Sequence, residues 1–405
     1  MEHLVVVGAS LAGIRAVEAA RKAGHQGAVT LVGAERHLPY DCPPLSKAFL
    51  DDTGEEPADP RFRTEEHLRH ELGGGELRLG VPATSLDTAS RLVGLGNGSE
   101  LGYDALVVAT GGAARTLPGT EDLSGVHALR TWDDALAVRS ALDAGARTVV
   151  IGAGFIGSEV ASSARKRGLP ATIVETLPVP LVRSVGEDMG KACADLHRAH
   201  GTDLRCGETV DGLESSGGAV TGVRLGSGEI VPADLVVVGI GVSPCTGWLE
   251  GSGVELHERD RGVVADATLR AADGVYAAGD VVHFPNHLFD GEVMRLEHWT
   301  TAAEQGAVAA RNALDPANAT ELGTVPYFWS DWYSSRIQFV GRPAADEIRV
   351  VSSEQGDDRF LALYRRGDRL VGTITIDRPT QIMKYKRLIS KRASWAEALQ
   401  FAGVG

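Results

Sequence analysis

The feature that most constrains this chain of 405 residues is a pattern that it uses twice. A short apolar run at 4–7 ends in Gly8, an alanine-rich stretch follows over 12–22, and residues 29–32 are apolar again. The second copy has an apolar run at 148–151, a turn starting at Gly152, a helical pattern over 156–167 and a closing apolar run at 171–174. Four apolar residues bounded by glycine read as a buried parallel strand, and the stretches between them as helices. Each copy is therefore a strand–helix–strand unit. The two turns lie 144 residues apart, far beyond the period of a stacked repeat, so the pattern predicts two domains of one type.

The turns themselves say what such units can hold. The second, Gly152-Ala153-Gly154-Phe155-Ile156-Gly157, has glycine at its first, third and sixth places. In a strand-to-helix turn the first glycine permits the sharp reversal, the second lets a pyrophosphate reach the backbone, and the third lets helix and strand pack closely. The helix behind it offers unpaired N–H groups and the positive end of a dipole. Glu175 stands 18 residues past Gly157, just after the second strand, where a carboxylate can take ribose hydroxyls; the alternative is a solvated strand-end glutamate. The following Thr176-Leu177-Pro178-Val179-Pro180 carries no positive charge to receive a 2′-phosphate, so NADH is expected over NADPH. The first turn, Gly8-Ala9-Ser10-Leu11-Ala12-Gly13, departs at its third place, where the small Ser10 stands for glycine; Glu35 supplies the acid 22 residues on. Two such turns predict two dinucleotides, in the economical pairing of a permanently held FAD with a nicotinamide that comes and goes.

Composition narrows the rest. Glycine makes up 50 of 405 residues, about 12% against an ordinary ~7%, and the excess gathers in turns rather than in a low-complexity tract. A net charge of −14 argues against nucleic acid and anionic membrane as partners. No apolar stretch approaches the roughly 18–20 residues of a membrane span. Met1-Glu2-His3 leads straight into an apolar run, so no secretory signal is expected. Cys42, Cys193, Cys206 and Cys245 have the spacing of neither a zinc site nor a Cys-x-x-Cys pair; no metal is expected, and a reducing, cytoplasmic location is.

Further strand-and-glycine elements follow the units: 106–109 before Thr110-Gly111, 235–238 before Gly239-Ile240-Gly241, and 274–278 before Gly279-Asp280. A helix is expected over 300–313. From Pro326 the sequence turns aromatic, with apparent antiparallel strands at 360–364 and 370–376, which predicts a third, smaller α/β domain. That segment also carries Lys384, Lys386, Arg387, Lys391 and Arg392, with Arg365, Arg366 and Arg369 on a separate turn. In so acidic a chain this cluster is either a solvated helix face or a docking patch for an acidic partner.

Six motifs in order give the sequence a specific likeness. They are Pro39-Tyr40-Asp41-Cys42-Pro43-Pro44-Leu45-Ser46-Lys47, Ala109-Thr110-Gly111, the stretch from Gly152 to Glu159, Gly239-Ile240-Gly241-Val242-Ser243-Pro244, Tyr276-Ala277-Ala278-Gly279-Asp280, and Pro326-Tyr327-Phe328-Trp329-Ser330-Asp331. Over nearly its whole length the chain resembles the FAD-dependent NAD(P)H:ferredoxin reductase family, the group of putidaredoxin reductase and the dioxygenase ferredoxin reductase components. The resemblance implies an α/β fold with two Rossmann-like dinucleotide-binding domains, glutathione-reductase-like, plus a smaller C-terminal α/β domain. It divides the chain into an FAD-binding domain of residues 1–114 and 245–320, an NAD-binding domain of 115–244 and a C-terminal domain of 321–405.

The same resemblance assigns roles. Lys47 looks like the lysine near flavin N5 and the nicotinamide, and Glu159 is similar to the nicotinamide-facing glutamate; these are the catalytic positions. A carboxylate in the first turn of a helix would also be stabilising for its own sake. Asp280 resembles the acid that bonds the ribityl chain of FAD, with a helix N-cap as the alternative. Arg130 resembles an arginine facing the flavin pyrophosphate, and Trp299 the residue beside the isoalloxazine ring, a plain core tryptophan being the other reading. Cofactor contacts are implied as well for Leu11, Ala12, Ala83, Ala109, Thr110, Gly111, Phe155, Ile156, Gly241, Gly279, Glu297 and His298.

The implied activity takes hydride from NADH to the flavin and sends single electrons to a small iron–sulfur ferredoxin, which would supply an oxygenase. Two features stand apart. The family often has arginine where this chain has Cys42, and no Cys-x4-Cys dithiol follows the first unit, so electrons would leave the flavin for an external acceptor. Two other functions remain in play. One is an NADH oxidase or peroxidase that cycles Cys42 through a sulfenic acid, although Asp41-Cys42-Pro43-Pro44 lacks the Ser-x-x-Ser-Cys setting of such enzymes. The other is a flavin-bearing interaction protein resembling apoptosis-inducing factor, although a −14 chain lacks the basic surface expected of one.

Overall fold

A computed structural model describes residues 2–51, 57–352 and 360–404 and divides the chain into two compact units. The first comprises Met1–Asp41, Pro60–Ala113 and Ser243–Pro326. Its centre is a six-stranded sheet in the order Arg270–Ala272, Val275–Ala277, Ala105–Val108, His3–Val7, Ala28–Gly33, Leu77–Leu79. All neighbours are parallel except the first pair. Val6 pairs with Leu31 on one side and Val107 on the other, so His3–Val7 is flanked on both edges. Leu4, Val5 and Val6 are wholly buried, which explains the uninterrupted apolar run. Burying each such side chain contributes about 1.5–3 kcal/mol. Helix Leu11–Lys22 crosses helix Trp299–Leu314 so closely that a Cβ on Gly306 would lie 2.1 Å from the Ala12 carbonyl oxygen.

The second unit comprises Cys42–Asp59, Ala114–Val242 and Tyr327–Gly405. It repeats the plan with a five-stranded, all-parallel sheet in the order Asp203–Cys206, Ala171–Glu175, Thr148–Ile151, Leu235–Val238, Val126–His127. Val150 pairs with Ile173 and Val237, the counterpart of Val6 in the first sheet. The aromatic segment forms a separate five-stranded antiparallel sheet: Tyr327–Trp332, Ser335–Gly341, Arg369–Ile376, Phe360–Arg366, Glu347–Ser352. Helices Pro379–Ser390 and Trp395–Ala402 follow it. Trp332, Phe339, Tyr364 and Ile374 form its core, together with Met189 and Cys193 of helix Glu187–Ala199. Burial pushes the Cys193 thiol up to about 12, so this cysteine acts as an apolar core residue.

The expected elements correspond closely to the observed ones, with one systematic difference. Helices Leu11–Lys22 and Phe155–Lys166 each begin one residue earlier than the sequence pattern suggested, directly after the third place of their glycine turns. Glu159 is therefore the fifth residue of its helix and lies beyond the first turn, so dipole stabilisation in that turn does not explain it.

Candidate functional site

In both units the chain itself dictates glycine at the first and last places of the turn. Gly8 has φ of +121°, its N–H donates to the Val32 carbonyl at 2.8 Å, and a Cβ there would lie 2.0 Å from the Ala109 oxygen. Gly152 has φ of +103°, and its Cβ would lie 2.4 Å from the Gly239 oxygen. A Cβ on Gly13 would lie 1.8 Å from the Gly8 oxygen, and one on Gly157 2.2 Å from the Gly152 oxygen. The middle place differs. Gly154 has an ordinary φ of −78°, and a Cβ on it would approach only the Gly239 oxygen, at 3.9 Å. No contact in the fold demands glycine there; a phosphate lying against the backbone would.

The helix starts point the same way. Helices Glu65–Leu72, Trp132–Asp143 and Trp395–Ala402 close their own N-termini with Thr64, Thr131 and Ser394 side chains, and each has acidic residues in the first turn. Helices Leu11–Lys22 and Phe155–Lys166 have neither a side-chain cap bond nor a first-turn acid. Helices Trp299–Leu314 and Pro379–Ser390 share both features, so an open helix start alone marks no site; directly behind a glycine turn it leaves room for an anionic group.

Around the first turn, Glu35 lies just past strand Ala28–Gly33 and accepts a hydrogen bond from the Tyr40 hydroxyl at 2.7 Å. Ala109, Thr110 and Gly111 close strand Ala105–Val108, with the Thr110 hydroxyl donating to the Cys245 carbonyl at 2.8 Å. Gly279 has φ of +84°, and its N–H donates to the Gln305 side-chain oxygen at 2.8 Å. Asp280 leads into strand Val282–Asn286, and the next helical turn is capped by Asn286, so the N-cap reading of Asp280 is corrected. His298 stands at the start of helix Trp299–Leu314 without a side-chain cap bond; burial lowers its pKa to about 4, opposed by the Asp280 charge. The Trp299 indole donates to Asp41 at 2.7 Å with Arg15 over its ring, and Glu297 pairs with Arg295 at 2.7 Å. Ala83 begins strand Ala83–Asp87, opposite Leu95.

Around the second turn, Glu175 folds back onto the turn itself. One carboxylate oxygen accepts from the Ala153 N–H at 2.7 Å, the other from the Leu177 N–H at 2.8 Å. Gly241, with φ of +99°, follows strand Leu235–Val238 and accepts from the Arg115 N–H. Ile156 is exposed at the turn, while Phe155 packs on Phe328 with ring centroids 4.6 Å apart. Arg130 belongs to this unit: its N–H donates to Asp134 just ahead of helix Trp132–Asp143.

Glu159 is 1% exposed, and its carboxylate gathers three side chains from distant parts of the chain. Lys47 reaches its two oxygens at 2.8 and 2.9 Å, the Ser46 hydroxyl donates to Oε2, and the Ser330 hydroxyl donates to Oε1. A buried charge is tolerated only when paired and fully hydrogen-bonded, as here. Lys47 itself sits on a segment clamped to helix Phe155–Lys166: Lys166 and Ser163 hold Asp51, and Arg167 donates to the Leu50 carbonyl. Ser46 and Ser330 lie inside sequence motifs singled out above, yet their convergence on Glu159 left no mark in local spacing.

None of the four cysteines forms a disulfide. Cys42 precedes the short 3₁₀ turn Pro43–Ser46. Among the described residues, His257, Asp260 and His283 form a group of three metal-capable side chains. The two imidazoles are stacked at 4.1 Å and 11°, so their in-plane lone pairs run side by side instead of converging on an ion. Arg295 binds the second Asp260 oxygen at 2.8 Å, which makes the group a hydrogen-bonded hub.

Comparison with known proteins adds an independent line. The pyridine nucleotide-disulphide oxidoreductase family matches residues 2–306, and the reductase C-terminal family matches residues 327–402. Rhodocoxin reductase of Rhodococcus erythropolis is 33% identical over 389 residues, covering 96% of this chain and 89% of that protein. The ferredoxin–NAD(+) reductase component of the anthranilate 1,2-dioxygenase system of Burkholderia cepacia is 35% identical over 396 residues, covering 97% and 95%. The reductase in a crystal structure of the covalent putidaredoxin reductase–putidaredoxin complex is similar with a TM-score of 0.90 at 32% identity, covering 96% of this chain and 93% of that one.

Proposed function

We propose that this chain, which belongs to the pyridine nucleotide-disulphide oxidoreductase family, passes electrons from NADH through FAD to a small iron–sulfur ferredoxin that supplies an oxygenase. Membership of the family brings a flavin and a nicotinamide cofactor with it. We assign FAD to the first turn, within residues 1–114 and 245–320, and NADH to the second, within 115–244; residues 321–405 form the C-terminal domain. When bound, the nicotinamide supplies a hydride, and the flavin converts that two-electron delivery into single-electron release.

The protein's share is positioning. The uncapped helix ends receive the two pyrophosphates, with Ser10, Leu11, Ala12 and Thr110 around the first and Phe155 and Ile156 around the second. Glu35 and Glu175 take ribose hydroxyls; Glu175 Oε2 has a second lone pair for this after serving the Ala153 N–H. Glu175 also disfavours a 2′-phosphate. The nearby Arg205 is committed to Asp203 and Glu229 at 2.9 and 2.7 Å, which leaves it poorly placed to compensate and supports NADH over NADPH. Asp280, Arg130 and Trp299 are assigned to the flavin, and Lys47 and Glu159 to the hydride transfer. The buried Glu159 carboxylate, paired with the partly exposed Lys47, carries this reading, because a fixed charge pair behind a nucleotide turn suits oriented hydride transfer.

Anaerobic titration of the purified yellow protein with NADH tests the proposal: the flavin spectrum should bleach stoichiometrically, and added oxidised ferredoxin should restore it. A colourless preparation, or one that NADH leaves yellow, sinks it. On helix Pro379–Ser390 and at its end, Lys384, Arg387 and Lys391 are exposed, whereas Lys386 lies over Tyr327 and Arg365 pairs with Glu347. Reversing the three exposed cations to glutamate should slow ferredoxin reduction and flatten its salt dependence while sparing ferricyanide reduction. Equal loss of both activities would make the patch structural. The bare thiol chemistry of an oxidase or peroxidase is tested by Cys42→Ser, which should leave ferredoxin reduction intact.

A further inference from the structure

We infer that Ser330 is a positioning residue for Glu159, so that the C-terminal hairpin sets the orientation of the carboxylate assigned to the nicotinamide. This rests on the proposed role of Glu159 and goes beyond it. The Trp332 indole N–H donates to the Ser330 oxygen at 2.8 Å. An indole can only donate, so the Ser330 hydroxyl must accept there and direct its own hydrogen at Glu159 Oε1. Trp332 and Ser330 are wholly buried, which keeps water from substituting for either. Ser46 fixes the other oxygen, and Lys47 spans both. The carboxylate plane is thereby set from two sides.

The hairpin grips the nucleotide helix along its length. Phe328 packs on Phe155, Ser330 holds Glu159, and the Tyr333 N–H donates to the Ser162 hydroxyl oxygen. The Tyr333 hydroxyl bonds His197 Nδ1 at 2.6 Å and Thr202 at 2.7 Å, while His197 Nε2 reaches Ser158 at 3.1 Å. Tyr333 adopts φ of +56°, a conformation that a bulky residue keeps only where its surroundings enforce it. Residues 155, 158, 159 and 162 share one helix face, and each has a partner in, or bonded to, this hairpin.

The test is anaerobic stopped-flow reduction of the FAD-loaded enzyme by NADH. Ser330→Ala should lower the limiting reduction rate about tenfold, the low end of what outer partners of a reactive group cost, with apparent NADH affinity little changed. Ser330→Thr, which keeps the hydroxyl, should restore the rate. Trp332→Phe, which keeps the ring but not the N–H, should fall between. Wild-type speed in Ser330→Ala with full flavin content overturns the inference, as does a Ser330→Thr enzyme as slow as Ser330→Ala. Should Ser330→Ala fail to fold, Trp332→Phe decides: slower reduction supports the inference and an unchanged rate overturns it. If NADH does not reduce the wild-type flavin at all, the proposed function has failed, and this inference with it.

Discussion

The two glycine turns are built on one plan and differ at one place. First and last positions are glycine in both because backbone oxygens stand within 1.8–2.4 Å of where a Cβ would be. The middle position is Ser10 in one and Gly154 in the other, with φ of −107° and −78°, which any residue adopts. The outer glycines therefore belong to the architecture, and the middle one answers to whatever lies on the turn. Under the proposed assignment, serine faces the cofactor that stays and bare backbone the one that enters and leaves at every turnover.

The strongest way to break this comparison is to put alanine at the outer places. Gly8→Ala and Gly152→Ala should each destabilise their unit by about 3 kcal/mol or more, from overlap plus a left-handed φ. Denaturant unfolding reads the loss, and Gly8→Ala should also be purified without flavin. Tolerance at either place would show that the shared plan is not enforced by the backbone.

A smaller effect separates architecture from ligand. Gly154→Ala should leave the unfolding free energy within about 0.5 kcal/mol of wild type, because no contact forbids the methyl. KM for NADH should rise about tenfold, since the methyl stands where phosphate approaches. A matching loss of stability would return Gly154 to the architectural class.

The acids beyond the turns sharpen the contrast further. Glu175 accepts from two backbone N–H groups, one in the glycine turn and one in its own loop, whereas Glu35 accepts from a tyrosine hydroxyl. Glu175→Gln keeps one acceptor oxygen of two and should cost about 1–2 kcal/mol in thermal unfolding, more than Glu35→Gln. The preference for NADH in kcat/KM should narrow, and equal costs at the two acids would remove the distinction.

The mildest probe is pH. His298 in the first unit and His197 in the second are held neutral by burial, at about 4 and about 3. Unfolded histidine titrates near 6.5, so between these values the unfolded state binds more protons and stability falls as pH is lowered. Their contribution is complete above about pH 6.5 and drains away down to about 4 for His298, and further for His197. Unfolding temperatures flat from pH 7 to 5 would contradict both. His298→Gln and His197→Gln should each remove part of the slope.

Much of this was readable in advance where chemistry is local. The parallel strands declared themselves through uninterrupted apolar runs, and the turns through glycine spacing, because steric demands act over a few residues. The helix starts were misplaced by one residue, since apolar periodicity begins only after the turn has already become helical. Glu159 was singled out, but not its setting: Ser46 lies 113 residues away from it and Ser330 171, and no short-range pattern encodes such a meeting. Asp280 was ambiguous because glycine–aspartate opens helices and strands alike, and only the strand that follows it resolved the question.

The order of the chain has a consequence for how the protein comes into being. The polypeptide passes between the two units at residues 41/42, 59/60, 113/114, 242/243 and 326/327. Neither unit is a continuous stretch of gene. During synthesis the first sheet cannot gain strand Val275–Ala277 until most of the second unit has emerged, and Lys47 waits for Ser330, near the end, before Glu159 has all its partners. Such late, distant closures slow folding. They also mean that the halves of this protein cannot be exchanged as modules at a single crossover: a recombinant that swaps the second nucleotide turn must carry residues 42–59 along with it, or lose the lysine that answers Glu159.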